Sequence, residues 1–318
     1  VTRTTPDFAD VEAAARRIAP HVHRTPLLHS TELSRLLGAR VDFKCENFQK
    51  AGAFKSRGAC NAVFALAEDQ AARGVATHSS GNHAAALARA AQRRGIPAYV
   101  VMPTNAPAVK RAAVEGYGGQ VVECESTLAA REATAAEVVA RTGAAFVHPY
   151  DEPLVIAGQG TALLEVCDDG LRPDLVLVPV GGGGLLSGTA LTARARLPGV
   201  RLWGTEPAGA DDAARSFATG VLQPQTAPKT IADGLRTGLS ERTFGLIRAN
   251  VDGIATVSEQ SILGAMRMVW HYLKIVIEPS CAVPVAALLE RKVAGDHVVV
   301  ILTGGNVDLD AFCTFRAG

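Results

Sequence analysis

Short β-branched runs alternate with alanine-rich stretches along most of this chain, and that alternation limits its fold more than any other feature. "GVATHSS" leads into "GNHAAALARAAQRRG", "PAYVVMP" into "NAPAVKRAAVEGYGG", and "QVVECE" into "STLAAREATAAEVVARTG", with "AAFVHP" closing the series near residue 149. A second series runs from "DLVLVPV" into "GGGGLLSGTALTARARLPG", then "VRLWGTEP", and later from "SILGAMRMVWHYLK" to "HVVVILT". Strands that alternate with helices predict parallel sheets covered on both faces. The expected class is therefore α/β, with two open, twisted, mostly parallel sheet domains and a break near residue 150. The segment "VTRTTPDFADVEAAARRIAPHV" places Phe8, Val11, Ala15 and Ile18 on one helical face behind a candidate cap, Asp7, and reads as a structural helix.

Bulk properties exclude several classes. A net charge of +1 over 318 residues gives no electrostatic footprint for nucleic acid or an acidic membrane. No apolar run is long enough to span a bilayer, and the first residues lack the apolar core of a secretion signal. The six cysteines, at 45, 60, 124, 167, 281 and 313, form neither a CxxC pair nor a zinc spacing with histidine. They read as small core residues of a cytoplasmic protein.

Small residues gather at the ends of three expected strands. Residues 75–78 run into Ser79-Ser80-Gly81-Asn82-His83, residues 175–180 into Gly181-Gly182-Gly183-Gly184, and residues 298–302 into Thr303-Gly304-Gly305-Asn306. Ligands of open parallel sheets bind beyond such C-terminal strand ends. Four glycines between a strand and a helix expected from Leu185 offer free N–H groups at a helix N-terminus, which is a phosphate cradle. A dinucleotide fingerprint fails here, because the third glycine position falls on Leu186 or Ser187, although Glu206 stands where a ribose-binding acid could sit. No GK[ST] follows, so the P-loop is excluded. A monophosphate with its own reactive group fits better. Pyridoxal phosphate is one, and Lys55, set among small residues in "NFQKAGAFKSRGA", is the amine that could capture its aldehyde.

"FKCENFQKAGAFKSRGA", "HSSGNHAAALA", "IAGQGT", "VGGGGLLSG", "EPAGADD", "TIADGL", "IEPSCAVPVAAL" and "LTGGNVDL" follow one another across nearly the whole chain. Together they resemble the fold-type II, tryptophan synthase β-like enzymes dependent on pyridoxal phosphate, and within them the serine racemase and serine/threonine dehydratase (ammonia-lyase) group. The resemblance implies a large cofactor domain of residues 1–73 and 151–318 and a small mobile domain, 74–150, that closes on substrate. It implies that Lys55 carries the Schiff base and then serves as general base at Cα. Phe54 would pack near the cofactor ring or belong to plain core. Asn82 would donate to the phenolic oxygen, the N–H groups of Gly181, Gly182, Gly183, Gly184 and Leu185 would hold the phosphate, and Thr303 would face the pyridine nitrogen. A neutral hydroxyl there makes the ring a weaker electron sink, which favours β-elimination.

Ser79, Ser80, Gly81, Asn82 and His83 resemble the loop that clasps the substrate carboxylate, with His83 orienting that loop. Ser80 also stands where racemase members carry the proton donor opposite the lysine. Arg131 matches a racemase arginine near substrate, or is a solvated helix charge. Glu206, Ala210 and Asp212 resemble a structural site for magnesium or calcium. Cys281 and Ala84 depart from the small residue or glycine usual at their positions. The implied reaction is elimination from a β-hydroxy amino acid, serine, threonine or threo-3-hydroxyaspartate, to a 2-oxo acid and ammonia. Racemisation of serine or aspartate is the alternative, alone or alongside elimination, and a β-replacement synthase comes next. A homodimer is expected by resemblance, and so is the lack of a C-terminal feedback domain.

Overall fold

The computed structural model describes residues 5–106 and 108–308. In chain order, α1 (Phe8–Ile18), β1 (Leu27–His29), α2 (Thr31–Leu37), β2 (Arg40–Cys45), α3 (Lys55–Ala65), α4 (Glu68–Ala71), β3 (Val75–His78), α5 (Asn82–Arg94), β4 (Ala98–Pro103), α6 (Ala108–Gly116), β5 (Gln120–Cys124), α7 (Leu128–Thr142) and β6 (Ala145–Phe146) precede α8 (Pro153–Asp168). Then come β7 (Leu175–Pro179), α9 (Gly184–Arg196), β8 (Arg201–Pro207), α10 (Asp212–Thr219), α11 (Glu241–Asn250), β9 (Gly253–Val257), α12 (Glu259–Leu273), α13 (Pro279–Leu289) and β10 (His297–Leu302). The strands form two sheets, ordered β5-β4-β3-β6 and β1-β2-β10-β7-β8-β9. Every pairing is parallel except that of the edge strand β1 with β2. The α/β class with two largely parallel sheets is as the alternation of the sequence implied.

The chain divides into two compact units, Val1–His23 with Lys55–Gln159 and Arg24–Phe54 with Gly160–Gly318. These boundaries differ from the segment 74–150 drawn in the sequence. The reason is packing. Ile18 of α1 and Ala59, Cys60, Ala62 and Val63 of α3 share one core with Leu87, Ala88 and Ala91 of α5. Two helices that precede β3 therefore belong with the sheet that β3 begins. The capping box at Asp7 starts α1 as expected, but the buried stripe is Val11, Ala14 and Ile18, with Ala15 on its shoulder.

In the first unit Val75, Ala98, Val100 and Met102 face the helices α1, α3 and α5, while Ala76 and Val101 face α7 through Ala135 and Val138. The period-2 alternation of a strand covers both faces. Close approach of α3 and the start of α8 depends on two glycines. A Cβ on Gly158 would lie 2.6 Å from the Cα of Gly58, and Gln159 Oε1 accepts from the Gly58 N–H at 3.2 Å. That contact explains the "AGQG" string.

In the second unit Phe43, Leu177, Val298 and Val300 pack against α12 and α13, and Val176, Val178, Val299 and Ile301 against α8, α9 and α11. Lys44 of β2 is fully buried and is held by Glu165 Oε2 at 2.5 Å and by the Thr25 carbonyl at 2.7 Å. Breaking such a pair from one side costs about 3–5 kcal/mol, because the remaining charge is stranded. Among the described residues no helix is long and apolar enough to cross a membrane.

Candidate active site

In the first unit the candidate residues gather at the C-terminal ends of the adjacent parallel strands β3 and β6. Lys55 opens α3, and its Nζ donates to the Pro149 carbonyl at 2.8 Å, in the loop after β6. The loop Ser79–Gly81 leads directly into the 13-residue helix α5, whose N-cap is Gly81 and which has no side-chain cap. Ser79 N–H donates to the Val101 carbonyl at 3.1 Å and its Oγ accepts from Gly81 N–H at 3.3 Å, so the loop is braced. Ser79, Ser80, Gly81 and Asn82 are half-buried. Hydroxyls beside uncapped helical N–H groups suit a carboxylate.

His83 is 2 % exposed; its Nε2 lies 3.3 Å from the Val147 carbonyl, and its Nδ1 is buried with no partner. Burial pushes its pKa well below the ordinary histidine value, and the nearby charge of Lys55 pushes it further. The ring is neutral at physiological pH, which makes Nε2–H the donor and Nδ1 a bare acceptor.

Three further residues of this cluster were not singled out in the sequence. His78 ends β3, and its ring meets that of His148 edge-on at 5.7 Å. His148 meets Tyr150 at 4.6 Å and accepts at Nδ1 from the Tyr150 and Asp151 N–H groups, at 3.3 and 2.9 Å. This commits Nδ1 as acceptor, so Nε2 carries the proton of the neutral ring. The usable signal was positional: His78 and His148 each stand at or just past the C-terminal end of a parallel strand. Arg131, in the first turn of α7, is half-buried, and its Nε is buried without an acceptor. Burial lowers the His78 pKa and raises that of the Cys124 thiol, and the nearby Arg131 charge acts on both in the lowering direction, which puts it on the His78 side of the cluster.

In the second unit β7 ends at Pro179 and α9 begins at Gly184, one residue before the expected start. Gly183 is the N-cap with φ 82°, and no side chain caps the helix. A Cβ there would meet Leu239 at 2.7 Å, Thr243 at 2.9 Å and Ile247 at 3.0 Å; one on Gly181 would meet the Gly234 carbonyl at 3.0 Å. Backbone alone can line this turn. Thr303 follows β10, is buried, and its carbonyl accepts from Phe54 N–H at 3.0 Å. Phe54 itself packs against the core cluster of Leu163, Val178 and Leu186. Cys281 lies close to Thr303, and burial pushes its thiol pKa far up, so it is no nucleophile.

Glu206 ends β8 and Asp212 opens α10; both are fully buried, and neither has a basic ion-pair partner among the described residues. Glu206 accepts from the Ala213 and Ala214 N–H groups, at 3.3 and 2.8 Å. Asp212 accepts from Gln225 Nε2 at 2.6 Å and Leu239 N–H at 3.3 Å. Burial and the Asp212 charge push Glu206 well above its ordinary value, and burial raises Asp212 to about 6. Among the described residues no group of three or more His, Cys, Asp or Glu side chains gathers to hold a metal. A cation here would take two carboxylates, a backbone oxygen such as that of Ala210, and water, which is a hard-oxygen set.

Residues 18–304 match the family described as pyridoxal-phosphate dependent enzyme, and the chain belongs to that family. It is 52 % identical over 309 residues to a beta-hydroxyaspartate dehydratase of Paracoccus denitrificans, covering 96 % of this chain and 98 % of the relative. It is 44 % identical over 316 residues to an L-threo-3-hydroxyaspartate ammonia-lyase of Saccharomyces cerevisiae, covering 98 % and 97 %. The structure of maize serine racemase superposes with a TM-score of 0.95 at 44 % identity, over 97 % of this chain and 96 % of the other. The residues fit the family's cofactor: a lysine at a strand-end cluster, and a glycine turn at positive φ that opens a 13-residue helix.

Proposed function

We propose that this enzyme removes the β-hydroxyl and amine of a 3-hydroxy dicarboxylic amino acid, 3-hydroxyaspartate, to yield a 2-oxo dicarboxylate and ammonia. The observation that carries the choice of substrate is Arg131, a guanidinium with a buried, unanswered Nε–H beside the cluster of His78. A second carboxylate on the substrate answers it with a charge-assisted hydrogen bond. The likeness to two enzymes named for hydroxyaspartate supports the same reading.

In this reading Lys55 would hold the cofactor aldehyde, the N–H groups of residues 181–185 would hold its phosphate, and Asn82 and Thr303 would serve its ring. The cofactor supplies the electron sink for a carbanion at Cα. Ser79, Ser80 and the first N–H groups of α5 hold the α-carboxylate. Lys55, displaced by the substrate amine, takes the Cα proton. The β-hydroxyl would depart as water with the equivalent of the proton that Lys55 takes from Cα, and the released enamine would tautomerise and be hydrolysed to oxo acid and ammonia. Ser80 favours a second activity, racemisation, because it can carry a proton to the face that Lys55 does not serve. Glu206, Asp212 and the Ala210 carbonyl hold a structural magnesium or calcium ion. Association as a homodimer is supported by Leu36, Phe48, Trp270 and Val276, large apolar side chains of the second unit that are 38–55 % exposed.

The test is a panel of serine, threonine and both diastereomers of 3-hydroxyaspartate, scored together for oxo acid and for enantiomer. Arg131→Ala is expected to raise KM for hydroxyaspartate about tenfold or more while leaving serine within about twofold, since a hydrogen bond to a charged group contributes about 1.5–3 kcal/mol. Equal losses on both substrates would remove Arg131 from recognition. Oxo acid from none of them would overturn elimination.

A further inference from the structure

The buried Nδ1 of His83 poses a question that carboxylate binding by the 79–83 loop leaves unanswered. A buried acceptor without a partner costs about 1–3 kcal/mol. This one lies in the first turn of α5, on a side chain that is 2 % exposed. Two carbonyls of one short segment anchor the groups concerned: Val147 receives His83 Nε2–H at 3.3 Å, and Pro149 receives Lys55 Nζ at 2.8 Å. Two residues of chain span at most about 7 Å, so the imidazole and the amine are moored to neighbouring points. A lysine ammonium has three donors on a flexible stem.

We propose that the partner of His83 Nδ1 is the amine of Lys55: once Lys55 has taken a proton, it donates to the Pro149 carbonyl and to His83 Nδ1 together. His83 is then a positioning residue that strengthens the base by stabilising its protonated form. The inference rests on the reading of Lys55 as base at Cα. The charges acting on His83 come from Lys55 on α3, His148 after β6 and His78 on β3, none of them an acid. Burial above all, and the Lys55 charge after it, keep the ring neutral, as an acceptor must be.

Two amide side chains separate this role from simple anchoring of the loop. The Oδ1 of asparagine occupies the place of Nδ1 and restores the acceptor. The amide of glutamine reaches the place of Nε2 and restores the bond to Val147. His83→Asn, His83→Gln and His83→Leu are compared in the full-length protein. In cofactor-free samples the pH dependence of Lys55 acetylation by acetic anhydride, read by mass spectrometry, gives the apparent pKa of its amine. That pKa is expected to fall by about one unit in the Gln and Leu variants, equivalent to a tenfold loss of proton affinity, and to stay at the wild-type value with Asn. In the loaded enzymes kcat for oxo-acid release should fall about tenfold with Gln and Leu at nearly unchanged KM, and recover with Asn. If Gln preserves both readouts and Asn loses them, or if no variant shifts the Lys55 pKa, the proposal is overturned. A wild-type enzyme silent on every hydroxy amino acid would instead strike the elimination reading, and the acetylation titration would still decide on His83.

Discussion

Gly183 leaves no room for even one methyl group. Its φ of 82° strains any L side chain, and a Cβ would press on Leu239, Thr243 and Ile247 at 3.0 Å or less. Gly183→Ala is therefore expected to cost about 1–3 kcal/mol of stability and to abolish uptake of the cofactor's phosphate. Urea unfolding and the visible absorption band of the lysine-bound cofactor measure the two effects separately. A stable variant with a normal band would show that the turn is not the anion site. This residue was legible in the sequence because a four-glycine run between strand and helix is rare and has few physical uses. Arg131 was reachable only through the resemblance, since a cation in the first turn of an alanine-rich helix looks the same whether solvated or half-buried. His78 and His148 were invisible as a pair. They lie 70 residues apart in the chain and meet only because β6 pairs with β3.

The turn between β8 and α10 brings two buried carboxylates together without a basic ion-pair partner among the described residues, and its stability is therefore expected to depend on pH. Burial raises the Asp212 pKa from 3.8 to about 6, and Glu206 is raised as well. A raised acid favours the folded state while it stays protonated. In cation-free protein its contribution is intact below about pH 4 and is lost as the pH climbs through about 6. In the proposed cation site a divalent ion would take the place of the missing protons. Magnesium or calcium is accordingly expected to raise Tm little near pH 4.5 and by roughly 5 °C near pH 7.5 relative to chelator-treated protein. An increment that does not grow with pH, or that survives in Glu206→Gln with Asp212→Asn, would place the ion elsewhere. The sequence reading of this element leaned on resemblance, because two acids six residues apart say nothing by themselves about burial. What sets this turn apart from a solvated one is that Glu206 turns inward to the N–H groups of α10.

At the scale of the whole molecule, strand and helix order was readable from periodicity, whereas the grouping of elements into units was not. The break foreseen near residue 150 falls instead between Gln159 and Gly160, inside α8. Packing of α1 and α3 onto α5 joins segments distant in sequence, and no local pattern announces it. Among the described residues, which do not include Cys313, five thiols are distributed over these units, Cys60 and Cys124 in the first and Cys45, Cys167 and Cys281 in the second, all buried and all with raised pKa. A thiol of this kind reacts with iodoacetamide only when its surroundings open. Alkylation followed peptide by peptide thus turns the native protein into its own pair of clocks, one for each unit, with no probe to attach. Equal rates at Cys60 and Cys281 would mean that both units open in one event, and unequal rates would time them separately.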